Sequence, residues 1–195
     1  MSVKYSELDN LNEKSKEVLV KKTMDVINQL KSKDYTKYLD LVQAIPEALK
    51  VTYESSELHK QRPKEGVDMN QHPVKPIRGQ IYNALLGENW GSELSGEHPV
   101  IILQNSPGNL FGQKVNVVPI EGDGNKVGKP YYIQLKNEDL EGSTTLKKNP
   151  SRVILSDVLT IDKARLGIQV GKVCDKKMKE INKVVHDQLA LDTSH

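Results

Sequence analysis

The chain has 195 residues, with 28 basic and 26 acidic side chains, a formal net charge of +2. That length suits one ordinary domain or a smaller one with a sizeable attachment, and the near balance of charge excludes a polybasic nucleic-acid tail. One cysteine, Cys174, excludes an internal disulfide and cannot alone supply a thiolate zinc site.

The first third of the chain is Lys/Glu-rich, and only one of the 13 glycines, Gly66, precedes residue 76. From Ser6 to about Lys31, Leu8, Leu11, Val18, Leu19, Met24, Ile27 and Leu30 recur at three- and four-residue steps, predicting a long amphipathic helix capped by Ser6 or Asp9. Tyr35, Tyr38, Leu39, Leu41 and Val42 predict a second helix from Asp34 to Ala44. Pro46 then interrupts the pattern, and because proline is tolerated in a first turn it is expected to open a third helix. Between Gln61 and Pro76, Pro63, Gly66 and Pro73 in polar surroundings predict a linker. The expected organisation is a helical extension at 1–60, a linker at 61–75 and a domain at 76–195.

Strand signals follow. IRGQIYNALL, HPVIILQN, KVNVVPI, PYYIQL and SRVILSDVLT are apolar or alternating runs bounded by Gly, Pro or Asn, with GDGNKVGKP as a turn-rich connector. Asp175 is expected to cap a last helix whose Met178, Ile181, Val184, Val185 and Leu189 share a face. Short, closely spaced strands closed by a helix predict an α+β fold built on a small antiparallel barrel or highly curved sheet. No apolar run approaches the roughly 18 residues of a membrane span, and MSVKYSELDN has no signal-peptide core, so the expected location is the cytoplasm, with no membrane.

The ordered set Ile77-Arg78-Gly79-Gln80-Ile81-Tyr82, GSELSGEHPVIILQN at 91–105, Gly108-Asn109, VNVVPI at 115–120 and VILSDVLTIDKARLG at 153–167 resembles the MazF/PemK toxin family over about residues 76–190. The resemblance implies an SH3-like barrel, usually a homodimer. It also implies a metal-independent, cofactor-free endoribonuclease that cleaves single-stranded RNA, inhibits growth and is neutralised by a cognate antitoxin. Metal-free cleavage employs the substrate's own 2′-hydroxyl, so a protein needs groups that take its proton, stabilise the phosphorane and protonate the leaving oxygen.

In the family's G-S-E-x-x-G-x-R-P loop, the position of the arginine is His98 here. A histidine cannot grip phosphate as a guanidinium does, yet it is an ordinary general acid or base. It stands there either in that role or as a polar loop residue. Where the family places Thr or Ser after the third strand this chain has Glu121, which offers a base but also an anion facing phosphate. The arginine of the R-T-I-D-K segment is Leu159.

Asp157 matches an acidic position used in some members, and Glu93 and Ser92 match the G-S-E loop, either as reacting and phosphate-donating groups or as braces of that loop. The site residues implied are thus His98, Glu121, Asp157 and Glu93 for catalysis. Arg78, Ser92, Lys147 and Lys148 are those implied for RNA binding, with no metal. Thr160, Asp162, Lys163 and Arg165 are read as shaping a turn before the last helix, and Trp90 and Phe111 as base-stacking residues or as a lid or dimer contact.

A second reading follows from His98, Glu121 and Leu159 together: a catalytically altered module that binds nucleic acid or a protein without cleavage. Residues 1–75 lie outside the resemblance. As an amphipathic attachment they are expected to cover part of the binding surface or to extend the dimer interface.

Overall fold

A computed structural model describes residues 12–191. The chain forms two compact units, Met1–Leu49 and Lys50–His195. The first is helical. Helix α1, Glu13–Ile27, starts where the Asn12 side chain accepts a hydrogen bond from the Ser15 N–H at 2.9 Å. The caps expected at Ser6 and Asp9 lie outside the described residues.

Helix α2 runs unbroken over Tyr35–Lys60 with Pro46 inside it, so the expected break and third helix do not form. A proline removes one backbone hydrogen bond and crowds one carbonyl, and the long helical runs on either side outlast that loss.

In the second unit, residues 61–75 are tied down by hydrogen bonds. Arg62 donates to the carbonyls of Asn70 and Phe111 at 2.7 and 2.8 Å and to Gln113 Oε1 at 3.1 Å. The His72 N–H donates to Leu110 O at 2.7 Å, and the His72 ring is fully buried. Ahead of them, the Ser55 hydroxyl donates to Asp162 Oδ2 at 2.7 Å.

Seven strands follow: β1 Gln80–Gly87, β2 Gly96–Ile102, β3 Lys114–Glu121, β4 Tyr132–Leu135, β5 Ser151–Ile154, β6 Leu159–Asp162 and β7 Leu166–Lys172. Helix α3, Ser106–Phe111, lies between β2 and β3, and α4, Asp175–Gln188, ends the fold. The sheet is antiparallel in the order β4-β5-β3-β2-β1-β7, with β6 paired to β3 beside β5. It does not close through a full ladder. Its two ends meet at one bridge, Leu140 to Val173, flanked by Glu141 N–H to Lys172 O and Cys174 N–H to Asp139 O, each 2.8 Å.

The run read as a fifth strand is two strands, β5 and β6. The turn at Ser156-Asp157 divides them, its Asp157 N–H reaching Ile154 O and its Ser156 hydroxyl capping Asp157 Oδ1 at 2.9 Å. Strand β7 was not visible as a strand, because Gly167 and Gly171 weaken the signal that pairing with β1 overrides. The turn at Lys163–Arg165 therefore precedes this strand rather than the last helix. Helix α4 is N-capped by Cys174 without a side-chain bond, and Asp175 sits in its first turn.

Alternation along the strands divides the core between the two faces of the sheet. Ile81, Ile101, Val118, Ile120, Val153 and Leu155 form one cluster, which α4 covers with Met178 and Ile181. Ala84, Leu86, Val100, Ile102, Val115, Val117 and Ile161 form the other. Each fully buried aliphatic side chain stabilises by about 1.5–3 kcal/mol, so α4 is held by packing as well as by hydrogen bonds. Arg78, just before β1, donates to Asn182 Oδ1 of α4.

Candidate active site

Most of the expected residues fall in two clefts of the second unit. The larger, about 700 Å³, is lined from β1 by Ile81 and Asn83, from β2 by Glu97, His98 and Pro99, and from the end of β3 by Ile120 and Glu121. Gly122, Asp123, Lys147, Lys148, Ser151 and Arg152 complete much of its rim. Four of the eight expected residues, His98, Glu121, Lys147 and Lys148, therefore share one cleft.

The register explains how. His98 pairs with Ala84 across β1 and β2, while Glu121 faces Arg152 directly across β3 and β5. Directly opposed side chains of an antiparallel pair are within reach of one another. Arg152 takes that opportunity: its Nε and Nη2 both donate to Glu121 Oε2, at 3.0 and 2.5 Å. Its Nη1 donates to Lys126 O at 3.2 Å, and its guanidinium lies 4.7 Å from the centre of the Tyr132 ring. The hydrogen bond to Glu121 raises the Arg152 pKa above its ordinary value.

Because both nitrogens converge on Oε2, Oε1 is the oxygen of Glu121 left without a hydrogen bond from the described residues. The carboxylate is thus oriented and charge-compensated through one oxygen. The anion expected to face phosphate carries its own counter-ion.

At His98, Nε2 lies 3.0 Å from the Ser95 carbonyl oxygen. A carbonyl only accepts, so this nitrogen carries the proton and Nδ1 is the one that gains or gives a proton in chemistry. Lys148 reaches the cleft across Gly122, where a Cβ would fall 2.1 Å from the lysine Cδ. Beneath it, Gly124 packs against the Pro150 backbone, where a Cβ would lie 2.3 Å from the carbonyl carbon. The Ser151 hydroxyl donates to Lys148 O at 2.6 Å and fixes the same turn.

The second cleft, about 400 Å³, holds Ser92, Glu93 and Asp157, together with Asn89, Thr160 and Arg165. Three further expected residues are therefore gathered away from His98. The brace of the loop between β1 and β2 is not Ser92 or Glu93. Asn89 Nδ2 donates to Leu86 O and Leu94 O at 3.3 and 2.5 Å, and the Asn89 N–H reaches the Ser95 hydroxyl at 2.9 Å. Arg165 is held by donation from Nε to Leu85 O at 2.6 Å and from Nη2 to Leu86 O.

Arg78 lines neither cleft; burial lowers its pKa, and it serves α4 through Asn182. Trp90 and Phe111 are exposed, at 70% and 49%, and line neither cleft.

Sequence reasoning missed Arg152. Its only signal was a charged residue inside the apolar run SRVIL, and its partner Glu121 is 31 positions away. Lys163 is also unlike its expected role as a turn residue. It is fully buried, its Nζ donates to Asn109 O at 2.5 Å, and burial lowers its pKa to about 8, with Arg62 adding to the push and Asp162 opposing it.

Residues 77–189 match the family of the PemK-like, MazF-like toxin of type II toxin-antitoxin systems. Endoribonuclease MazF of Staphylococcus saprophyticus is 36% identical over 116 residues, covering 60% of this chain and 92% of that protein. Among solved structures, an endoribonuclease from a mycobacterial species, in complex with its cognate antitoxin, shares 24% identity over 60% of this chain and 96% of its own, with a TM-score of 0.47. MazF from Deinococcus radiodurans shares 16% identity over 59% of this chain and 96% of its own, with a TM-score of 0.49. The family match begins at the entrance to β1 and takes in the whole of the larger cleft.

Proposed function

The chain belongs to the PemK-like, MazF-like toxin family, and from that premise we propose that it cleaves single-stranded RNA in the larger cleft, by attack of the 2′-hydroxyl on the adjacent phosphate. The observation that carries this reading is the meeting of His98, Glu121, Arg152, Lys147 and Lys148 around one cavity.

Glu121 Oε1 removes the 2′-hydroxyl proton, and the 2′-oxygen bonds to phosphorus. Arg152 holds the carboxylate for that transfer and, with Lys147 and Lys148, offsets the charge that builds on the phosphorane. The bond from phosphorus to the 5′-oxygen breaks as His98, protonated at Nδ1, delivers a proton to that oxygen. The Ser95 carbonyl meanwhile accepts from Nε2 and steadies the imidazolium. The products are a 2′,3′-cyclic phosphate and a 5′-hydroxyl.

His98 thereby replaces the family's loop arginine as the proton-transferring group, and the guanidinium is supplied from β5. Glu93 and Asp157 stand in the other cleft, so proton transfer falls to His98 and Glu121. Ser92 is assigned a contact to the RNA backbone beyond the scissile phosphate.

The domain partition at about residue 76, a homodimeric state, a cytoplasmic setting and neutralisation by a cognate antitoxin complete the reading. Among the described residues no helix is long and apolar enough to cross a membrane. Induced expression tests it in cells. Wild type arrests growth, and His98→Ala at equal protein level relieves the arrest; arrest by both proteins alike would refute the role of His98.

A further inference from the structure

The first unit, taken by itself, carries a feature that the RNA chemistry does not use. Neither α1 nor α2 has a buried residue. Eleven large apolar side chains from Val18 to Leu49 are between 38% and 64% exposed. On α2 alone, Tyr35, Leu39, Val42, Ile45 and Leu49 present on the order of 400 Å² of apolar surface on one face, the size of the largest and often functional apolar patch of a typical monomer, roughly 300–600 Å². A lone helix of the length of α1, 15 residues, is marginal in water, so these helices call for a covering surface.

The pattern on α2 states what kind. Tyr35, Leu39, Val42, Ile45 and Leu49 are spaced by four, three, three and four residues, a series symmetric about Val42. Two antiparallel copies crossing at Val42 set Tyr35 level with Leu49 of the second copy, and Leu39 level with its Ile45. The same register sets Asp34 level with Lys50 and Lys37 level with Glu47, and stacks no like charges between 34 and 50. Self-complementarity of this kind is the requirement of a two-fold, isologous interface. Residues 12–49 hold 7 basic and 6 acidic side chains, a balance suited to a surface like itself and not to a polyanion or an acidic membrane.

We propose that the N-terminal helices form an association surface for a second copy of this chain, with α2 antiparallel to its counterpart across Val42. None of its residues lines the larger cleft, and the proposal does not depend on the catalytic reading.

Disulfide trapping in the full-length chain tests it, with Cys174→Ser removing the native thiol. Val42→Cys alone should give a covalent dimer on mild oxidation, at least tenfold more efficiently than Glu47→Cys, which lies roughly 140° around the helix. A mixture of Tyr35→Cys and Leu49→Cys chains should join to each other in preference to themselves. Val42 and Glu47 are both exposed, so neither change threatens the fold. Equal trapping at 42 and 47, absence of trapping, or a preference of Tyr35→Cys for itself each overturns the proposal.

Discussion

Arg152 changes the meaning of Glu121. From sequence alone, an acidic residue here reads as a repulsive charge, whereas in the structure it is paired to a guanidinium through one oxygen, which suits the role of base proposed for it. Arg152→Lys keeps the charge and loses the two-nitrogen grip, so it should lower kcat severalfold or more with a smaller change in KM. An unchanged kcat would make the pair purely structural. Lys148→Ala should instead weaken RNA binding and reduce the salt slope of the binding constant by about 0.7.

Lys163 gives a prediction about stability. Its folded pKa of about 8 lies below its ordinary 10.5, so between those values the unfolded chain holds a proton that the folded chain has released. The unfolding free energy therefore gains from this group as pH rises through that window, and below about pH 8 the cost of the buried charge is fully present. Urea titrations across pH 8–10 should show the rise in wild type and lack it in Lys163→Met. His72 acts in the same sense on the acidic side: burial, then Lys163 and then Arg62 lower its pKa, against the Val74 backbone and Asp162. Its contribution is present above its ordinary 6.5 and is lost as pH falls through its lower folded value.

At the scale of elements, packing at the turn 148–151 sets the rim of the larger cleft. A methyl group at Gly124 would meet the Pro150 backbone, which cannot swing aside as the end of Lys148 can at Gly122. Gly124→Ala should cost about 1–3 kcal/mol in denaturant unfolding and displace Lys148 and Arg152 together, whereas Gly122→Ala should cost less. Helix α4 is a packed lid: Ile181 is fully buried, and Ile181→Ala should cost about 2–5 kcal/mol.

Most of these elements were legible as runs, since β1 to β4 and α4 announce themselves by apolar periodicity and turn residues. What was not legible depended on pairing. Strand β7 carries two glycines and exists because β1 offers it an edge; Pro46 is absorbed by the helix around it; and the Glu121–Arg152 contact is set by the β3–β5 register. The split of the expected site follows from the same cause. His98 and Glu93 are five positions apart in sequence, yet the loop bend at Gly96, with φ of 84°, sends them to different clefts.

At the scale of the whole chain, the near-zero net charge looked at first like a poor basis for holding RNA. The distribution resolves this. Around the larger cleft Glu121 is matched by Arg152, and Asp123 by Lys126 at 2.9 Å, while Lys147 and Lys148 stand on the rim. Local pairing, not overall charge, sets the charge around this cleft. Residues 50–75 line neither cleft, and within the second unit they are anchored near α3 and at the end of β6.

The most direct measurement of the central claim is cleavage of a mixed-sequence single-stranded RNA by the purified full-length chain in excess EDTA, with analysis of the product ends. The expected products carry 2′,3′-cyclic phosphate and 5′-hydroxyl termini. The pH dependence should be bell-shaped, and His98→Ala and Glu121→Gln should each lose roughly 10²–10⁴-fold in kcat/KM. Intact RNA that is nevertheless bound, or cleavage that both variants perform as well as wild type, would contradict it.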